Sequence, residues 1–203
     1  MSIYFYQNDL PQDLDFGQSV AIDTETMGLN LHRDRLCLVQ LSGGDGNAHL
    51  VQIRPSAGPA PRLQQLLADP DVEKLFHFAR FDLAVLMRDI GPVAGPVFCT
   101  KIASKLTRTY TDRHGLADLC RELLGTEISK QQQSSDWGAD ELTEAQKHYA
   151  AGDVLYLHKL QAKLKDMLTR LERNDEASAC FRFLTARASL DLMGFEQTDI
   201  FHH

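Results

Sequence analysis

The sequence predicts an α/β fold in which a central mixed sheet is flanked by helices. Three apolar segments separated by short polar stretches are typical of strands, at 20–26, 36–42 and 48–53. A glycine-rich turn joins the last two, so we expect the three strands to form an antiparallel meander. From residue 63 onward, segments with helical spacing alternate with short apolar strands at 72–77 and 97–99. An antiparallel meander followed by alternating helices and strands indicates a mixed sheet covered by helices.

The first half of the chain adds an edge strand and two helices to this plan. Residues 3–6 alternate loosely in polarity, which predicts an edge strand. An amphipathic helix is predicted over 78–90, where a Gly-Pro pair ends it. A second helix carries Ile102 and Leu106 on its apolar side.

The second half of the chain is mostly helical. A helix over 116–124 is predicted to stop at Gly125, because glycine favours the left-handed conformation found just beyond helix ends. The sequence Thr-x-x-Gln at 143–146 is a capping box, and it predicts one long helix that continues to Leu168. A last helix is expected over 176–192.

Length and composition indicate one ordinary globular domain. The chain has 203 residues, of which 43% are hydrophobic and 24% charged, and we expect a single domain over 1–203. Within it, the core covers about 1–172, and a C-terminal helix and tail cover 175–203. No apolar run is long enough to span a bilayer, and the N-terminus has no basic leader. We therefore expect a cytoplasmic protein without a membrane partner.

Cysteine spacing and net charge narrow the class of function further. The four cysteines lie far apart and form no Cys-x-x-Cys pair, which argues against a zinc site and a disulfide scaffold. The net charge of −7 weighs against a protein that grips long nucleic acid through a basic face. A small phosphodiester bound mainly through metal ions remains compatible with this charge.

Two acids at the end of the first meander strand indicate a metal site. Asp23 and Glu25 follow the apolar residues 20–22, and alternate side chains of a strand share a face. Burying two like charges there is costly unless a cation compensates them, and Mg²⁺ and Mn²⁺ prefer carboxylate oxygens. The alternative is that the strand has already ended and both acids lie in a solvated turn.

Two further segments carry candidate ligands. Asp82 lies near the start of a mostly apolar helix, where it is either a metal ligand or an acid paired with the helix N-terminus or with Arg80. Tyr149 and Asp153 are four residues apart and share one face of a helix. Gly152 lowers helix stability beside them, which hints at close approach of a substrate. An exposed aspartate and a core tyrosine are the alternative.

Taken in order along the chain, these residues resemble the DEDD superfamily of 3′→5′ exonucleases, in the subgroup whose third motif carries tyrosine. The matching motifs lie at 22–26, 77–86 and 146–157. Residues 116–119 and 135–137 are also similar to ribonuclease D. The resemblance implies a ribonuclease H-like fold and a phosphodiester hydrolase.

The resemblance also implies a cofactor and a role for each motif residue. The cofactors are two divalent cations, Mg²⁺ or Mn²⁺, of which Asp23 would bridge both. Glu25 and Asp153 would complete the site that holds the attacking water, and Asp82 would support the second cation. Tyr149 would orient that water, because a tyrosine pKa near 10 makes orientation safer than proton abstraction.

Five residues are candidate substrate contacts. In the DEDD exonucleases, backbone and an apolar wedge directly after the first motif contact the 3′-terminal nucleotide, which here are Met27, Gly28 and Leu29, with Leu29 as the wedge. His77 is expected to contact ribose or phosphate, and Trp137 to stack on a base. For Leu29, His77 and Trp137, packing inside the protein is the alternative.

The compact form of the chain resembles nano-RNase C enzymes, because about fifty residues follow Asp153 where ribonuclease D continues into further domains. Residues 99–104 and 108–116 add to that likeness. It implies hydrolysis of RNA dinucleotides and very short oligoribonucleotides to 5′-mononucleotides by a homo-oligomer, an octameric ring. Two alternatives stay open: ribonuclease D-like 3′ trimming of longer structured RNA, and a non-catalytic nucleic-acid-binding scaffold.

Overall fold

A six-stranded mixed sheet forms the centre of the protein. The computed structural model describes residues 1–55, 58–129 and 131–203. The strands are β1 (Ile3–Gln7), β2 (Ser19–Thr26), β3 (Leu36–Ser42), β4 (Ala48–Gln52), β5 (Glu73–Phe76) and β6 (Val97–Cys99). Their order across the sheet is β1-β4-β3-β2-β5-β6. The predicted edge strand and both short inner strands are thus confirmed.

The pairing of these strands is antiparallel on one side of the sheet and parallel on the other. β2 pairs antiparallel with β3, and β3 with β4, which confirms the predicted meander. β2 pairs parallel with β5, β5 with β6, and the edge strand β1 with β4. The pairing of β2 with β3 shifts between Glu25 and Thr26, where β2 leaves the regular ladder. The predicted α/β class with a mixed sheet is confirmed.

Among the residues that the structure describes, seven α-helices cover the sheet. They are α1 (Pro61–Ala68), α2 (Ala79–Asp89), α3 (Thr100–Thr107), α4 (Leu116–Leu119), α5 (Glu144–Leu155), α6 (Leu157–Arg170) and α7 (Asn174–Leu190). Short π-helical segments continue α4 over Cys120–Leu124 and α7 over Asp191–Phe195. Gly125 ends the first of these with a φ of 65°, as its position in the sequence predicts. Within the described residues, no helix is long and apolar enough to cross a membrane.

One sequence prediction about the helices is wrong. The single long helix expected from the capping box to Leu168 is two helices, α5 and α6, which meet at Tyr156. The backbone of Tyr156 has φ −104° and ψ −7°, outside the helical range. The apolar spacing continues through this point, so periodicity did not reveal the break.

The two faces of the sheet bury different sets of helices. On one face, Ile22 of β2 packs in a cluster with residues of α1, α2 and α7. On the opposite face, Ala21 packs in a cluster with residues of α3 to α6. Because side chains alternate along a strand, Asp23 and Glu25 point to the side of α5, and Thr24 points to the side of α2.

The C-terminal helix α7 is tied to α2. Leu184 and Ala188 of α7 are buried in the cluster that contains α2. Arg80 donates two hydrogen bonds to the Asp191 carboxylate, at 2.6 and 2.8 Å. Arg187 pairs with the same carboxylate at 2.7 Å. These contacts hold the C-terminal segment against the first turn of α2.

We expect the capping box to stabilise α5. The Thr143 hydroxyl accepts the Gln146 N–H at 3.2 Å, and the Gln146 side chain accepts the Thr143 N–H at 2.9 Å. Thr143→Ala removes the first bond and should lower the free energy of unfolding by about 1 kcal/mol, measured by urea denaturation. Thr143→Ser keeps a hydroxyl and serves as the control. An equal loss in both variants would contradict the capping role.

Candidate active site

The candidate site is a cleft of about 460 Å³ where β2 and β5 end. Its walls come from the end of β2, the start of α2, residues around the start of α4, and α5. The cleft contains all five motif residues predicted from the sequence: Asp23, Glu25, Asp82, Tyr149 and Asp153. Segments that are far apart in the sequence therefore meet where β2 and β5 end.

Three of the acids form a tight cluster. One carboxylate oxygen each from Asp23, Glu25 and Asp153 lies within 4.8 Å of the other two. The strand places Asp23 and Glu25 on one face, and α5 packs against β2 and brings Asp153 to that face. Gln40 on β3, the register partner of Asp23, also donates a hydrogen bond to Asp23 Oδ2 at 3.4 Å.

The fourth acid enters the cleft from the opposite side of β2. Asp82 lies in the first turn of α2 and is 5% exposed. The Thr24 hydroxyl donates a hydrogen bond of 2.6 Å to Asp82 Oδ1. Thr24 lies between the two strand acids but points to the other face, so it joins α2 to β2 at the cleft. Sequence reasoning did not identify Thr24.

Burial raises the pKa of every acid in the cleft, and repulsion by neighbouring carboxylates adds to the rise for Asp23, Glu25 and Asp153. Burial raises the pKa of Asp23 well above its ordinary value, and repulsion by the other three carboxylates adds to it. The pKa of Glu25 rises to about 9, through burial and then through Asp153 and Asp82. Burial raises the pKa values of Asp82 and Asp153 to about 7. Without a cation, the cleft therefore keeps protons at neutral pH.

Tyr149 lies beside this cluster and stays protonated. Burial is the largest cause that raises its pKa above the ordinary value, and the charges of Asp153 and Glu25 raise it further. Its hydroxyl interacts with the Asp153 carboxyl, and this contact lowers the pKa of Asp153. A tyrosine of this kind donates a hydrogen bond but does not supply a phenolate base at neutral pH.

The donor set fits a hard divalent cation. It consists of carboxylate oxygens, which Mg²⁺ and Mn²⁺ prefer over softer donors. Four acids in one cleft also repel each other, and a bound cation offsets that repulsion because it favours the charged form of each acid. Asp23, Glu25 and Asp153 are close enough together to share one ion.

His77 lies at the junction of β5 and α2, on the cleft wall. Its Nδ1 lies 2.9 Å from the Thr100 hydroxyl, which in turn donates to the Phe76 carbonyl at 3.2 Å. Burial and the charge of Lys101 lower the pKa of His77 to about 3. The ring is therefore neutral, with Nδ1 as the donor to Thr100. A ribose or phosphate contact for His77 stays a prediction.

Among the three residues after the first motif, the structure brings only Leu29 to the cleft. Leu29 lines the cleft and is 85% exposed, which suits the predicted wedge. Gly28 packs against Asp34, and a Cβ atom at this glycine would collide with that carboxylate. The Met27 side chain lies against Gly138. Substrate contacts by Met27 and Gly28 are therefore untested, and packing accounts for the glycine.

Trp137 lies in the core and not in the cleft, which corrects the expectation that it stacks on a base. It is 3% exposed and belongs to a buried cluster with Leu38 and Leu50. Its ring contacts Tyr149, with the centroids 6.0 Å apart. A buried ring has no free face for a base, so Trp137 instead supports the position of Tyr149.

Two more residues of the cleft were not predicted as substrate contacts. Phe78 follows His77 and lines the cleft with an exposed ring. Lys101 is the one lysine or arginine among the described lining residues. The sequence offered no signal for Phe78, because its spacing from Phe81 and Val85 continues the apolar stripe of α2.

The chain has relatives among known proteins. A family model for the 3′-5′ exonuclease matches residues 5–169. Ribonuclease D of Granulibacter bethesdensis is 36% identical over 151 residues, which cover 74% of this chain and 38% of the relative. The chain thus spans less than two fifths of the length of that relative.

Solved structures extend the likeness over the whole chain. Brucella melitensis NrnC with bound Mg²⁺ is 57% identical, with a TM-score of 0.95, and the match covers 100% of both chains. The same protein bound to pGG is 58% identical, with a TM-score of 0.96, covering 100% of this chain and 99% of the other. The chain therefore belongs to the 3′-5′ exonuclease family, as a DEDD exonuclease of the NrnC (nano-RNase C) type.

Proposed function

We propose that this chain is a two-metal, tyrosine-type DEDD 3′-5′ exoribonuclease that hydrolyses RNA dinucleotides and very short oligoribonucleotides to 5′-mononucleotides. The observation that carries the proposal is the meeting of four carboxyl groups from three distant segments in one cleft. Elsewhere in the described chain, no group of three or more possible metal ligands comes as close together.

The acids of the cleft hold the cations. Asp23, Glu25 and Asp153 form one set, and Asp82 supports the second position from across β2. When bound, two divalent cations supply a nucleophilic water and stabilise the charge on the attacking and leaving oxygens. Hydrolysis then releases a 5′-mononucleotide and leaves a free 3′-hydroxyl on the remaining RNA.

Tyr149 orients the attacking water. Its raised pKa keeps the hydroxyl protonated, so it acts as a hydrogen-bonding group beside Asp153. Packing against Trp137 fixes its ring. An oriented water needs no further ordering in the transition state, which is the source of the rate gain.

The size and charge of the cleft support a short substrate. A volume of about 460 Å³ lies within the range of small-molecule sites. The net charge of −7 and a single described lysine on the cleft wall offer little grip for long RNA. The complex of Brucella melitensis NrnC with pGG adds support from a relative.

A substrate-length series tests the proposal. 5′-labelled RNA of two to about seven nucleotides is incubated with Mg²⁺, with Mn²⁺ or with EDTA, and the products are resolved. We expect fastest hydrolysis of the dinucleotide, mononucleotide products, and no reaction in EDTA. The variant Asp153→Asn, which loses one ligand charge, is the inactive control.

The same series separates the alternatives. Trimming of long structured RNA at a rate equal to or above that of the dinucleotide would favour a ribonuclease D-like role. This role is the main rival, because the chain is 36% identical to a ribonuclease D. Binding of RNA without any hydrolysis in either metal would favour a non-catalytic scaffold.

We also propose a cytoplasmic homo-oligomer, an octameric ring, as in the sequence-based prediction. Exposed apolar side chains near the C-terminus, Phe195, Ile200 and Phe201, support contact with further copies. Light scattering on the purified protein measures the number of chains. A monomer at micromolar concentration would overturn this part of the proposal.

Tyr149→Phe tests the orienting role. It removes the hydroxyl and keeps the ring that packs against Trp137. We expect kcat to fall roughly 10- to 100-fold while KM changes by less than about twofold. Steady-state kinetics with an RNA dinucleotide measures both. A rise in KM with unchanged kcat would show that Tyr149 binds substrate instead.

Thr24→Val tests how Asp82 is positioned. The substitution keeps the shape of the side chain and removes the 2.6 Å hydrogen bond to Asp82. Because a buried acceptor loses its donor, we expect the Mg²⁺ concentration for half-maximal activity to rise roughly 5- to 100-fold. Thr24→Ser, which keeps the hydroxyl, should stay within about twofold of the wild type. Identical metal dependence of both variants would rule the role out.

The raised pKa of Glu25 predicts how stability depends on pH without metal. A carboxyl group that binds its proton more tightly in the folded state stabilises the fold at low pH, and this contribution is lost as pH rises toward its folded pKa of about 9. In EDTA, Glu25 alone should lower the free energy of unfolding by about 2 kcal/mol between about pH 7 and pH 8.5, and the raised pKa of Asp23 adds to this fall.

Urea denaturation in EDTA and in excess Mg²⁺ measures this effect. Glu25→Gln is the control, and it should make the fall in stability with pH in EDTA shallower, because the other three acids remain. Mg²⁺ should stabilise the wild type more at pH 8.5 than at pH 7, because fewer protons compete with the cation. A rise in the stability of the EDTA-treated protein with pH would contradict the raised pKa.

A further inference from the structure

Phe78 holds a backbone conformation that large side chains avoid. It precedes α2 with φ 72° and ψ 45°, in the left-handed region. Residues with a Cβ atom are disfavoured there, and Asn or Gly is the usual occupant. Asn8 and Glu172 are the other described non-glycine residues with positive φ. An aromatic residue at such a position is a strained feature that needs a reason.

Packing does not supply that reason. The Phe78 side chain is 46% exposed, although burial is what normally stabilises a phenylalanine. Phe81, one turn further along α2, packs against the core cluster of this face. The protein thus keeps an exposed aromatic ring on a strained backbone, at the mouth of the acid cleft.

The ring of Phe78 stands between two clefts. One is the acid cleft, and the other is an adjoining cleft of about 590 Å³ that includes Asn30 and Arg80 in its lining. Leu29, Phe78 and Phe81 line both, so these three side chains form the boundary. A dinucleotide bound at the acids has two bases to place, and this apolar boundary is adjacent to the reacting phosphate.

A lysine holds one face of the ring. Lys101 Nζ lies 4.2 Å from the centroid of the Phe78 ring, a cation–π contact. The contact fixes the ring and places a positive charge beside a cleft that otherwise carries acids. The side chain remains exposed despite this contact, which suits a flat base on the opposite face.

We propose that Phe78 is a stacking platform for one base of the substrate, and that Lys101 positions its ring. The inference rests on the proposed function, since it takes a short RNA as the ligand. It explains both unusual features of Phe78: the left-handed backbone aims the ring at the cleft, and the substrate base covers its exposed face. Base–aromatic stacking tolerates any base, which suits an enzyme that clears short RNA of mixed sequence.

The substitution Phe78→Asn separates stacking from folding. Asparagine tolerates the left-handed conformation, so the melting temperature should stay the same or rise. Loss of stacking should raise KM for an RNA dinucleotide roughly 5- to 100-fold, with kcat within about threefold of the wild type. Phe78→Tyr keeps the aromatic face and should restore KM. Leu171→Asn, at a residue with 44% exposure outside both clefts, is the matched control.

Abasic substrates identify the interaction. Two dinucleotides are compared, each lacking the base of one nucleotide. One of the two abasic dinucleotides should have a higher KM than the intact dinucleotide for the wild type. With that substrate, Phe78→Asn should raise KM little further, because the base that would stack on the ring is already absent. If the full effect of Phe78→Asn persists with both abasic substrates, the ring does not stack on a base and the proposal is overturned.

Other outcomes are also decisive. A rise in KM that accompanies a lower melting temperature or a changed number of chains in solution would make Phe78 a structural or interface residue. If the wild type hydrolyses only longer RNA, the proposed length preference fails, and the same variants compared on that RNA still test the platform. If it hydrolyses no RNA, binding of a fluorescent dinucleotide tests it, and equal affinity of wild type and Phe78→Asn refutes it.

Discussion

The burial of four carboxyl groups in one cleft is the constraint on which the site depends. Burial raises the pKa of each acid, and repulsion by the neighbouring carboxylates raises it further for Asp23, Glu25 and Asp153. The fold holds them together because β2 lies inside the sheet, between β3 and β5, where it cannot move aside. Ionisation of these acids in the cleft needs a compensating positive charge, and divalent cations supply it.

Neutral polar groups set the orientation of these acids. Thr24 hydrogen-bonds to Asp82, and Gln40 donates to Asp23. Tyr149 interacts with Asp153 and is held by the buried ring of Trp137. None of these supports adds a charge to the cleft, so each orients a ligand without competing with a cation. Packing and hydrogen bonds around the cleft thus determine where these carboxyl groups point.

Backbone strain and exposure coincide at Phe78, beside the acids. Leu29 and Phe78 are large apolar residues left open to solvent at the cleft, and Phe78 also has a left-handed backbone. The capping box of α5 and the Gly125 turn, by contrast, agree with local preference. A strained backbone or an exposed apolar side chain is most informative at a functional site, because the rest of the fold has to offset the free energy that it costs.

The sequence by itself determined the sheet with its meander, most helix ends, and the five motif residues, because these depend on spacing and order along the chain. Tertiary structure decided that Asp82 bonds to Thr24, 58 positions away, and that Trp137 is buried. It also decided where α5 ends, at Tyr156. These features depend on which surfaces meet across the sheet, and contacts between distant segments leave no periodic signal in a single sequence.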